Sequence, residues 1–261
     1  WSAGLLKDVW CMVGVFSIYV AIWNFFIKKR LRWRSIMAAL FWAYVLVSVR
    51  PYVFYTVVAT GLVWIGFSSL RQIKNTFVRI IFAPMALTAV AVIFVFFIGK
   101  MSEVVEGKYA SISSLIEQAV IIQDDLKREY YGPNGFDIGS LDDMSITGML
   151  KKSPQAIVAG LFRPFIWEAH SVFMLLSGVE NLFLLALSLL CLFRLRLGII
   201  KVFAADGFMA SIMIFVLVFS FSVGLTIANF GALVRYRIVL MPFFVIILIR
   251  LWQLSATKQS A

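Results

Sequence analysis

Arg235 and Arg237 stand with Asn229 and Tyr236 in a short polar break between two runs apolar enough to cross a bilayer. A guanidinium at the bilayer centre costs about 2.5–3.5 kcal/mol even on insertion-based scales, so such a pair belongs at the membrane boundary or on a bound anion. Three further breaks share this character: Lys7 with Asp8, Arg50 with Pro51, and the stretch from Arg163 to His170 that holds Glu168. Arginine presents a planar fork of donors matched to phosphate oxygens. Arg50, Arg163, Arg235 and Arg237, with Asn229 and Tyr236 beside them, are therefore the expected holders of a phosphate or pyrophosphate group. Glu168 and Asp8 are the carboxylates expected to act as a base or to orient a hydroxyl. Glu180 lies inside an apolar run, where ionisable groups face a bundle interior, and is a candidate intramembrane polar site.

Each of these residues also has a structural reading. Arg235 and Arg237 could anchor the last helix at the interface, Arg163 could snorkel to headgroups, and Arg50 before Pro51 could simply mark a turn. Asp8 next to Lys7 could be a neutralised surface pair. Glu180 beside Asn181 could be a buried, hydrogen-bonded acid, and His170, the only histidine, could be structural.

Composition sets the class that must position these residues. Of the 261 residues 62% are hydrophobic, with 25 Phe and 8 Trp, well outside the range of a soluble domain. The net charge of +11 comes from short Lys/Arg clusters at the ends of apolar runs, which marks orientation and not nucleic-acid binding. Cys11 and Cys191 lie far apart inside apolar runs, with no spacing that implies a disulfide, a metal or a cofactor. Helices are the expected element, because backbone groups in lipid have no water to bond.

A first crossing is expected over about Val9 to Phe26, followed by the strongest cytoplasmic mark, Lys28, Lys29, Arg30, Arg32 and Arg34. The apolar stretch from Leu31 to Leu70 is too long for one helix and is broken at Arg50 and Pro51, which predicts a helical hairpin. A fourth crossing is expected over about Ile80 to Ile98. Residues 100–170 form the only sizeable extramembrane segment, holding ten of the thirteen acidic residues. Its two amphipathic pieces, about Val104 to Leu126 and Ser145 to Phe162, are expected as helices, the second lying in the interface. Crossings five to seven follow over about Val172 to Phe193, Phe208 to Ala228 and Ile238 to Leu251.

The fold expected is thus all-α and polytopic, with about seven transmembrane helices: four in residues 1–99, an extracytoplasmic loop in 100–170, and three in 171–261 before a short cytoplasmic tail. The N-terminus falls outside and the C-terminus inside, with thirteen of the 24 Lys and Arg on the inner side and four in short outer segments. All four polar breaks then fall on the outer face. The start at Trp1, with an apolar run almost at once and no leader pattern, leads to the expectation of a preceding part.

Three patches carry a resemblance: "WSAGLLKD" from Trp1 to Asp8, "VRPY" from Val49 to Tyr52, and "NFGALVRYRIVLMPF" from Asn229 to Phe243. They resemble bacterial exopolysaccharide and O-antigen assembly proteins, EpsG/Wzy-like polymerases and related membrane glycosyltransferases. The resemblance implies a site at the outer face of the cytoplasmic membrane that uses a polyprenyl-pyrophosphate-linked glycan, with no nucleotide sugar. Partners would be membrane lipids, the lipid-linked glycan and proteins docking on residues 100–165. Two other classes stay open: a non-catalytic membrane subunit docking through that loop, and a flippase. The flippase would want more ionisable residues within crossings than Glu180 and Asp206 provide.

Overall fold

The structure, a computed structural model, describes residues 2–30, 32–71, 121, 135–136 and 146–259. Every regular element among them is helical, apart from one isolated antiparallel bridge between Gly135 and Asn229. Four helices are long and apolar enough to cross a membrane, and a fifth crossing is formed if a sharply bent pair counts as one. The described residues are those of a helical membrane protein. The expected fourth crossing and the first amphipathic piece lie outside them, Ile121 apart.

The contacts divide the chain into two compact units, one drawn from Trp1–Ser111 and Phe203–Phe215, the other from Ile112–Val202 and Val216–Ala261. In the first unit, helix α1 (Ser2–Ile22) continues into a π-helical turn, Trp23–Ile27. α2 (Trp33–Val49) runs back along α1, and α3 (Pro51–Arg71) completes the expected hairpin. The break between α2 and α3 follows from covalent geometry. Pro51 occupies the first helical position, where its missing N–H costs nothing, and Arg50 before it is pushed to an extended backbone of φ −148°, ψ 84°. With 17 residues α2 rises about 25 Å, short of a hydrocarbon core of about 30 Å.

Hydrogen bonds hold this unit together where oily packing has no water to displace. The Tyr19 hydroxyl lies 2.9 Å from Thr60 Oγ1 and 3.2 Å from Ser211 Oγ, and Ser211 Oγ donates to the Thr60 carbonyl at 2.7 Å. Such hydroxyl contacts contribute about 0.6–2 kcal/mol each between membrane helices. Trp64 and Phe208 pack around Tyr19, with ring centroids 5.8 and 6.1 Å away.

In the second unit, α4 (Ile146–Phe162) ends at a tight loop with a short 3-10 turn, Ile166–Glu168, and α5 (Val172–Leu195) follows with Ser171 as its N-cap. A short helix absent from the sequence expectation, α6 (Gly198–Ala205), leads to α7 (Gly207–Thr226), whose residues divide between the two units. Asp206, weighed above as a charge within a crossing, is the N-cap of α7: its Oδ1 accepts from the Phe208 amide at 2.9 Å.

The second amphipathic piece is a helix, as expected, and α4 packs directly on α7. Ala156 and Gly160 stand four apart on one helix, Ser220 and Gly224 four apart on the other, and each glycine's missing side chain admits the facing backbone. A Cβ on Gly160 would fall on the Ser220 carbonyl group, and one on Gly224 on that of Ala156. The last crossing is not one straight helix. α8 (Phe230–Tyr236) runs through a 3-10 turn, Arg237–Val239, into α9 (Met241–Gln259), and the halves meet at 67°. α9 packs along α5, with Arg194 held over the Trp252 ring at 4.7 Å.

Candidate functional site

The loop between α4 and α5 is where the second unit concentrates its polar groups. Arg163 directly follows the last residue of α4, and Glu168 closes the 3-10 turn five residues on. Arg163 Nε donates to the two Glu168 oxygens at 2.9 and 3.3 Å, and its Nη2 makes a closer contact with Oε1. Glu168 Oε2 also accepts from the Phe165 amide at 2.9 Å, so the carboxylate fixes the turn that carries it. A forked, charge-assisted pair of this kind has a defined orientation as well as energy.

Aromatic faces flank the guanidinium. Arg163 Cζ stands 4.7 Å from the Phe136 ring centre and 5.8 Å from that of Phe230, and these two rings stack at 4.8 Å. The stack is anchored by backbone: the Phe136 amide donates to the Ala228 carbonyl at 2.8 Å, beside the bridge between Gly135 and Asn229. The Arg163 and Glu168 side chains keep 21% and 15% of their surface, enough for a ligand to reach.

Buried residues brace the loop from the protein side. Arg237 is 2% exposed, and its Nη1 donates to the Arg163 carbonyl at 2.9 Å and more weakly to that of Leu161 at 3.4 Å. Asn181, fully buried on α5, donates to the Pro164 carbonyl at 2.9 Å. Gly178, one turn before it, lets the loop backbone approach so closely that a Cβ there would sit 3.1 Å from Ile166 Cα. Glu180, on α5 beside Asn181, is exposed and is not the buried acid weighed above.

The expected site residues are therefore distributed as follows. Arg163, Glu168 and Arg237 come together in one network. Asn229 lies against it but acts locally, its Oδ1 capping α8 through the amides of Gly231 at 3.0 Å and Ala232 at 3.3 Å. Arg235 and Tyr236 are half-buried on α8, the guanidinium 5.3 Å from the Tyr236 ring centre. His170 is exposed at the end of the loop. Asp8 and Arg50 belong to the first unit, where Arg50 Nη2 contacts Asp8 Oδ1 in an ion pair with side-chain exposures of 8% for Arg50 and 0% for Asp8. That pair ties α1 to the break between α2 and α3.

Phe136, Phe230 and Gly178 were not among the candidate residues the sequence singled out, and Asn181 entered there only as the neighbour of Glu180. Aromatic residues and small polar groups are abundant in this chain, so only their spatial convergence on Arg163 distinguishes them. Among the described residues no cluster of His, Cys, Asp and Glu is arranged to hold a metal ion. No family model matches the chain, and no curated protein or solved structure matches it either.

Proposed function

We propose that the protein is a membrane glycosyltransferase or glycan polymerase that acts on polyprenyl-pyrophosphate-linked sugars at the outer face of the bacterial cytoplasmic membrane. The observation that carries this reading is the Arg163–Glu168 pair, partly accessible, flanked by aromatic faces and braced by the buried Arg237. The resemblance of the "NFGALVRYR" segment supplies the substrate class, and the network supplies the chemistry.

Transfer of a sugar from pyrophosphate breaks the bond between the anomeric carbon and the phosphate oxygen and forms one to an acceptor hydroxyl. Negative charge grows on the departing pyrophosphate, and a fixed guanidinium stabilises it because its orientation is set before the reaction. As the pyrophosphate engages Arg163, Glu168 is released from part of its pairing and takes the proton of the acceptor hydroxyl. Phe136 and Phe230, buried and stacked on one another, fix the position of the cation. Arg235 and Tyr236 are assigned to the glycan or to its pyrophosphate. Asp8 and Arg50 are given no part, since they form an ion pair in the interior of the first unit.

The test is the gel profile of lipid-linked and surface glycan in cells carrying the wild-type gene, Arg163→Gln or Arg235→Ala at matched membrane levels. Removing one charge-stabilising donor is expected to lower turnover by about 100- to 1000-fold. Loss of long polymer with single repeats retained identifies a polymerase, and loss of the repeat itself identifies a sugar-adding transferase. An unchanged ladder in both variants removes the site and leaves a subunit role.

A further inference from the structure

The first unit contains a groove, about 820 Å³ in volume, between the end of α1 and the start of α2. It shares no residue with the network just described and is used by nothing in the proposed reaction. Its two ends differ chemically. At one end are Arg32 and Arg34, with Asn24 from the π-helical turn and Ser35 beside them, the last two joined by a hydrogen bond of 3.2 Å. Toward the other end the walls are Val13, Phe16, Val20 and Ala38.

The polar end carries an electrostatic imbalance. Lys28, Lys29, Arg30, Arg32 and Arg34 crowd the N-terminus of α2, the positive end of its dipole, and its first turn holds no acidic residue. The N-cap residue, Arg32, provides no side-chain cap. Cations at that end of a helix are unfavourable, and a bound anion there relieves both the dipole and the mutual repulsion of the side chains. The backbone is shaped to hold the cluster: Lys29 adopts φ 51°, and the Arg30 amide is tied to the Asn24 carbonyl at 2.9 Å.

The length of the groove completes the fit. From Val13 to Asn24 α1 rises about 16 Å at 1.5 Å per residue, close to half of a hydrocarbon core of about 30 Å. A single leaflet therefore matches it, with a charged head at Arg32 and Arg34 and an acyl chain along Val20, Phe16 and Val13. The basic start of α2 is part of the cluster expected at the cytoplasmic boundary, where headgroups are.

We infer that this groove binds an anionic glycerophospholipid from the surrounding bilayer, phosphate on Arg32 and Arg34 and one acyl chain between α1 and α2. The bound lipid fills the space between the helices and holds the basic turn, independently of the reaction proposed above.

The experiment is native mass spectrometry of the full chain, delipidated in a neutral detergent and titrated with phosphatidylglycerol or phosphatidylcholine of identical chains. With a basic side chain near the surface contributing about 1 kcal/mol, two arginines predict a preference for phosphatidylglycerol of about thirtyfold. The double variant Arg32→Gln/Arg34→Gln, which changes only exposed side chains, is expected to reduce that preference to near unity. Ala38→Trp fills the groove with the charges intact and is expected to weaken both lipids. Equal affinity for the two lipids overturns the inference, as does a preference that survives the double glutamine variant. Displacement of phosphatidylglycerol by inorganic phosphate alone, with no effect of Ala38→Trp, overturns it too, since the site would then be a simple anion patch. Tighter binding of a polyprenyl phosphate than of phosphatidylglycerol assigns the groove to the other phosphate-headed lipid and likewise overturns it.

Discussion

Two arginines of the second unit differ in role because they differ in exposure. Arg237 is sealed in and spends its donors on carbonyl groups of the loop, so it sets backbone position. Arg163 keeps 21% of its side-chain surface and pairs its fork with the carboxylate of Glu168. Arg237→Ala is expected to lower stability by about 2–3 kcal/mol, because buried carbonyls lose their donor. Arg237→Lys should recover little, since a single ammonium cannot reproduce the planar fork. Arg163→Ala should cost only about 0–1 kcal/mol, as partly exposed ion pairs do, while removing activity. Thermal unfolding in detergent beside the glycan profile checks the contrast. In the first unit, Asp8→Ala or Arg50→Ala leaves a buried charge without its partner and should cost about 3–5 kcal/mol. The double variant should lose clearly less than the sum, which a double-mutant cycle measures.

At the level of elements, small residues decide which helices touch. Gly160 and Gly224 bring α4 and α7 into backbone contact, and Gly178 lets the site loop rest on α5. Gly224→Leu should cost about 1–3 kcal/mol or more, because backbone, not a flexible side chain, occupies the space. Gly198→Ala is the matched control, since nothing lies within 4 Å of the added carbon, and its effect should stay within about 0.5 kcal/mol. Melting temperatures of the purified variants distinguish the two. These contacts also show what one stripe of the amphipathic segment Ser145 to Phe162 is packed against. An apolar stripe is the same in sequence whether lipid or another helix covers it, and only the glycines facing one another choose the helix.

For the whole molecule, orientation follows from where the cations lie. The clusters at residues 28–34 and 194–201 are expected inside, and the breaks at Arg50, His170 and Arg235 outside. His170 and Arg196 are both exposed, and the native Cys11 and Cys191 are buried, so introduced cysteines report with little background. His170→Cys should react with a membrane-impermeant maleimide in intact cells, and Arg196→Cys only after permeabilisation. The reverse pattern would invert the topology and place the Arg163 site on the cytoplasmic side, where an outer-face transfer cannot occur.

Several features were legible in the sequence alone. Apolar runs and their basic ends fixed the class, the helix type, the hairpin broken at Pro51 and the spans beginning near Val172 and Phe208. These are local or compositional properties: helix is the backbone's answer to lipid, and proline acts on its own neighbour. The polar breaks were also visible, because charge in an apolar context needs a partner or a boundary. The choice among partners was not visible. That Asp8 meets Arg50, that Glu168 turns back to Arg163, and that Arg237 is spent on carbonyls depend on which helices pack and at what depth. So does the 67° bend before α9. Pairing across tens of residues is set by packing in three dimensions, and a side chain's chemistry is the same in sequence whether it ends as a brace or in a partly exposed ion pair.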